Sequence, residues 1–156
     1  MTEDWLLPPA KSPGETSLVM DPVRTPISRG ALVLLRAGAA ASAALACLQP
    51  VLAGAFLQGY YSMLAAHRMS GMLFALALVP TLLAALVVWR GGRGPGRPAL
   101  FAALALVLCA AQIVLGFTRD LAVHVPLGAV LLYLVVRILM LSWAKQPVAR
   151  YAGAPA

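Results

Sequence analysis

Hydrophobic positions fall in long blocks along this chain instead of alternating with polar ones. Four stretches, at about residues 31–57, 64–89, 99–118 and 121–143, are dominated by Ala, Leu and Val with small residues interspersed. Each reaches the roughly 20 residues that a helix needs to cross the hydrocarbon of a bilayer. The period-two alternation of a membrane β-strand is absent, and in lipid only a helix satisfies every backbone polar group within its own segment. The pattern predicts an all-α integral membrane protein.

Two of the connections are very short. Residues 58–63 separate the first and second stretches, and Arg119 with Asp120 separates the third from the fourth. Each pair must therefore fold back as an antiparallel helical hairpin. Between the hairpins lies RGGRGPGRP (90–98), whose glycines and prolines break helices and whose arginines need water. The expected fold is a four-helix transmembrane bundle of two tandem helical hairpins, occupying residues 31–143. Residues 1–30, with Pro8, Pro9, Pro13, Pro22 and Pro26 among scattered charges, read as a disordered tail, and residues 144–156 as a second tail. The first apolar block begins too late and runs too long for a secretory signal, whose apolar region spans about 7–15 residues.

Composition agrees: 62% of residues are hydrophobic and 11% charged, giving a mean hydropathy of +0.87. The formal net charge of +7 is unevenly placed. Lys11, Arg24, Arg29, Arg36, Arg90, Arg93, Arg97, Lys145 and Arg150 gather at one end of the hairpins, and only Arg68 and Arg119 lie near the other. Since cytoplasmic flanks are enriched in Lys and Arg, both termini and the arginine loop are assigned to the cytoplasm of a multi-pass plasma-membrane protein. Trp89 and Trp143 close the second and fourth spans as interfacial anchors. The basic charge is thus a topology signal with membrane lipids as partners, and nucleic acid is not among them.

Carboxylates narrow the function. Glu3, Asp4, Glu15 and Asp21 lie in the tail and Asp120 in a turn, so no acid sits within a span to serve proton-coupled transport. Neither a phosphate-binding glycine loop, a zinc cluster nor a nucleophile constellation is present, and no catalytic residue is assigned.

The informative feature is an internal repeat. The first hairpin contains QPVLAG (49–54) and then HRMSG (67–71); the second contains QIVLG (112–116) and then HVPLG (124–128). Two hairpins of one orientation imply a parallel repeat about an axis along the membrane normal. The second and fourth helices then stand diagonally across the bundle. His67 precedes Trp89 by 22 residues and His124 precedes Trp143 by 19. At about 1.5 Å per residue these depths agree within roughly 5 Å. The chain's two histidines are therefore expected to face each other near the outer surface, as axial ligands of a haem b. Gly71 and Gly128, about one turn deeper on the same faces, would leave room for the porphyrin or serve as small-residue packing contacts. Gln49 and Gln112 are expected to hydrogen-bond between helices or to lie near the cofactor. Cys47 and Cys109 read as small fillers in apolar helices.

HRMSGMLFAL (67–76) and AQIVLGFTRDLAVHVPLGAVLLYLVVRIL (111–139) resemble one four-helix half of the haem A synthase family, over about residues 49–141. The resemblance implies a haem-binding bundle with His67, followed by Arg68, and His124, preceded by the Gln112–Gly116 segment, as the axial pair. The chain is also similar to small four-helix membrane proteins of actinobacteria that share this histidine pattern. It departs from haem A synthase in supplying one half where that family has two. Leu64 stands where the family's catalytic half has a glutamate three residues before the first histidine, and the loop cysteine pair found in some members is missing. What the resemblance implies is thus b-type haem binding, in electron transfer or haem handling, more than haem modification. A redox partner or a quinone would accompany that role, and homo- or hetero-oligomers are compatible with it. The alternative is a cofactor-free structural or accessory membrane subunit whose repeat serves packing alone.

Overall fold

The computed structural model describes residues 28–92 and 94–144. It contains four helices, α1 (Arg29–Leu57), α2 (Met63–Leu86), α3 (Arg97–Thr118) and α4 (Leu121–Trp143), with a π-helical turn, Val87–Gly91, continuing α2. All four are long and apolar enough to cross a membrane, counting the π turn with α2. The chain is a multi-pass membrane protein.

Local chemistry explains where the helices stop and start. Ser28 caps α1, its Oγ accepting from the Ala31 amide at 3.4 Å. Gly59, at φ +100°, supplies the left-handed residue that turns the chain between α1 and α2. In the tighter second turn Arg119 takes the left-handed conformation, at φ 62°, and Asp120 caps α4 by accepting from the Val123 amide at 3.4 Å.

Several expected boundaries move. The middle connection is shorter than residues 90–98, because Arg90 lies in the π turn while Arg97 and Pro98 form the first turn of α3. A proline there has no amide to leave unpaired and its fixed φ suits a helix start. The expected tail 1–30 likewise loses Arg29 and Gly30 to α1. The remainder of that tail up to residue 27, the second tail from residue 145, and Arg93 lie outside the described residues.

Each helix packs against its chain neighbours and α4 also packs against α1, so the ring closes and α2 stands diagonal to α4. The seam is built largely from small side chains: Ala39, Ala43 and Ala46 on α1, Ala84 and Ala85 on α2, Ala99, Ala102 and Ala105 on α3. In lipid, where apolar side chains gain nothing by leaving water, such close backbone approach supplies the packing. Gly38 marks the tightest point, since a Cβ there would collide with Thr81 Oγ1 on α2. Val51, Leu76, Val107 and Phe117 point outward, as lipid-facing residues do.

At the end carrying the middle loop, Arg36 fastens α1 to α4. Its Nε donates to the Ser142 carbonyl at 3.0 Å and its guanidinium lies 4.8 Å from the centre of the Trp143 ring. One of the last carbonyls of α4 is thereby satisfied. Arg36→Met is expected to lower stability in detergent by about 1–2 kcal/mol, read from thermal unfolding, because it removes both contacts and keeps the aliphatic stem. The second anchor, Trp89, carries Arg90 over its ring at 4.8 Å and packs against Gly96, where a Cβ would stand 2.8 Å from the indole nitrogen.

Candidate histidine site

His67 lies in the first turns of α2 and His124 in the first turn of α4, at the end opposite the middle loop. Both are half-buried. Their ring centroids are 6.3 Å apart, with the ring planes inclined at 56°. The diagonal arrangement thus brings the two imidazoles to one level, as the repeat requires.

Each ring is held from behind by the preceding helix of its own hairpin. Nδ1 of His67 lies 3.2 Å from the backbone carbonyl oxygen of Gln49, and Nδ1 of His124 lies 3.0 Å from that of Gln112. A carbonyl oxygen only accepts, so in both cases Nδ1 carries the proton and donates it. A ring protonated at Nδ1 alone presents Nε2, with its lone pair, as the nitrogen open to a ligand. Backbone orientation of a ligating histidine is the usual device for fixing its tautomer and direction.

The glutamine side chains complete the arrangement differently in the two hairpins. Gln49 Nε2 donates to Ser70 Oγ at 2.8 Å, and Ser70 Oγ donates to the His67 carbonyl at 3.1 Å. Ser70 stands three residues after His67; its counterpart after His124 is Leu127. With no hydroxyl there, Gln112 Nε2 donates directly to the His124 carbonyl at 2.8 Å, and its buried Oε1 finds no donor among the described residues. Both amides bond from one helix to the next, as expected of uncharged polar groups inside apolar segments.

The glycines hold a surprise. A Cβ on Gly71 would meet Gln49 Oε1 at 3.6 Å, and one on Gly128 would meet Gln112 Nε2 at 3.1 Å. The space they leave is occupied by the glutamine amides, so packing is the role the geometry gives these glycines here, and a porphyrin would use that space only with the amides displaced. Arg68 is exposed and reaches from α2 to α3, its guanidinium 5.6 Å from the Phe117 ring centre. It sits on the rim and not between the rings. Cys109 is buried while Cys47 is exposed on the outside of α1, so only the former is a filler; both are free thiols.

Four groups were not singled out from the sequence as partners of the histidines: the main-chain carbonyls of Gln49 and of Gln112, the hydroxyl of Ser70, and Gly116, where a Cβ would stand 3.0 Å from the His124 ring. The recurring Gln-to-His order marks the carbonyls indirectly, and nothing local marks Ser70. No known protein family, curated protein or solved structure matches this chain.

Proposed function

We propose that the bundle holds one b-type haem between His67 and His124 and serves electron transfer or haem handling in the plasma membrane. The observation that carries this reading is the mutual placement of the rings. Two imidazoles bound to one metal by bonds of about 2.0–2.1 Å have ring centroids roughly 6.3 Å apart when they coordinate from opposite sides. The two rings here stand 6.3 Å apart, centroid to centroid. Both Nδ1 atoms are engaged by carbonyls, which leaves both Nε2 atoms as donors.

The donor set supports the same choice. Among the described residues no group of three or more His, Cys, Asp or Glu side chains comes together. Two imidazoles alone make a poor cage for a bare metal ion, but they complete an iron that arrives with four equatorial nitrogens. When bound, that group supplies one-electron exchange. The carbonyls of Gln49 and Gln112 would orient the two Nε2 atoms toward such a group, and Arg68 would offer a cation for its carboxylates at the rim. A quinone or a redox protein would meet the site from the histidine end.

Titrating haem into detergent-purified protein tests the reading. One equivalent is expected to saturate the change in the haem Soret band, and a titration without a saturable component would overturn it, leaving the cofactor-free accessory subunit.

The orientation proposed with it places both termini and the middle loop in the cytoplasm and the histidines near the outer face. Gly94 is a poor site for a probe, because a Cβ there would stand 2.9 Å from the Val88 carbonyl oxygen; Pro95 is exposed and serves better. In a background with Cys47 and Cys109 replaced by alanine, the Tyr60→Cys variant should react with a membrane-impermeant maleimide in intact cells. The Pro95→Cys variant should react only after lysis. The reverse pattern would invert the topology.

A further inference from the structure

The two histidines occupy equivalent places in the repeat, yet their surroundings are not equivalent. A Cβ built on Gly116 would lie 3.0 Å from Cε1 and 3.4 Å from Nδ1 of His124. A Cβ built on Gly54, the glycine that closes the corresponding segment of the first hairpin, meets nothing within 4 Å. Four residues after Gln49, the spacing that Gly116 keeps from Gln112, the first hairpin has Ala53. The bare Cα is therefore a feature of the second hairpin alone, set against one edge of one ring.

We propose that Gly116 is the positioning residue of His124. Three groups bound that ring or its backbone. The Gln112 carbonyl holds Nδ1 at 3.0 Å, the Gln112 amide holds the His124 carbonyl at 2.8 Å, and the side-chain direction of Gly116 faces the edge formed by Cε1 and Nδ1. A methyl group at Gly116 presses on that edge, and the ring must move by a few tenths of an ångström. Because both anchors come from the same turns of α3 that would push it away, the ring cannot retreat and keep its hydrogen bond at full strength. His67 has no such neighbour at Gly54. Of the two nitrogens offered at the site, the one from His124 is thus set by the α3 backbone at Gly116, and the pair is asymmetric by construction.

The orientation of the His124 ring is set by the protein's own packing, with or without a cofactor. Its consequence for a bound haem rests on the reading above: a weaker Nδ1 hydrogen bond makes the imidazole a poorer donor, stabilises the ferric state less, and raises the midpoint potential of Gly116→Ala relative to wild type.

The test uses haem-free, full-length protein with ¹⁵N-labelled histidine in detergent micelles. In Gly116→Ala the His124 ring-nitrogen resonances should shift while those of His67, in the same sample, stay in place and report an intact fold. Gly54→Ala should move neither. In wild type a proton contact between Gly116 Hα and His124 Hε1 should be seen, with no counterpart between Gly54 and His67. Unshifted His124 resonances in a folded Gly116→Ala protein would overturn the proposal. So would the absence of the wild-type contact, which decides the matter if the variant does not fold. A wild type that refuses haem would defeat the haem site and leave this result standing.

Discussion

Replacing either His67 or His124 by alanine is expected to lower haem affinity on the order of 100-fold or more while helicity and size-exclusion behaviour stay those of wild type. On the proposed reading each side chain supplies one ligand nitrogen, and among the described residues each ring makes one hydrogen bond, to a glutamine carbonyl. The loss should be mutual. Removing one ligand leaves the other ring on one face of the iron, so either variant that still takes up haem should show a five-coordinate, high-spin spectrum. A wild-type-like six-coordinate spectrum in one variant would mean that the removed histidine is not a ligand.

The second large effect lies in the opposite half of the bundle. Gly38→Ala is expected to cost about 1–3 kcal/mol, because the new methyl collides with Thr81 Oγ1 where α1 and α2 approach closely. Thr81 is fully buried, and its hydroxyl donates to the Ala77 carbonyl at 2.7 Å within its own helix. The clash therefore cannot be relieved by swinging the hydroxyl into open space. Thr81→Ala by itself should cost little, since the bond it removes is local to α2. Combined with Gly38→Ala it should restore about 1 kcal/mol or more, and unfolding of the two single variants and the double variant in detergent measures that coupling. Additive losses would show that the contact is not what limits the approach of the two helices.

How much of this was legible in the sequence differs from level to level. The four spans could be read because lipid demands unbroken apolar length, and the hairpins because two connections are too short for any other path. The diagonal pairing of α2 with α4 followed from the repeat, and with it the meeting of His67 and His124. The Trp89 and Trp143 ends were also visible, whereas the start of α3 at Arg97 was hidden by reading Gly96 and Pro98 only as breakers, although a proline at a helix start favours the helix. The finer structure of the site was illegible for a physical reason. A backbone carbonyl has the same chemistry at every residue, so nothing in the letters marks those of Gln49 and Gln112 as the acceptors that fix both imidazoles. Glycines are ambiguous in the same way: Gly71 and Gly128 make room for glutamine amides, Gly116 for a histidine ring, and Gly54 for no side chain nearby. Only the packed arrangement separates these roles. Ser70 and Leu127, at equivalent positions, show how one substitution between repeats changes a hydrogen-bond network without disturbing the fold around it.

On the proposed reading His67 and His124 bind one iron from opposite sides. The most direct measurement is the reduced-minus-oxidised visible spectrum of the detergent-purified wild-type protein, expressed with haem supplied. The expected spectrum has the sharp, split α and β bands of a low-spin, six-coordinate b-type haem. A folded, monodisperse protein that gives no such difference spectrum, or only that of a high-spin haem, would contradict it.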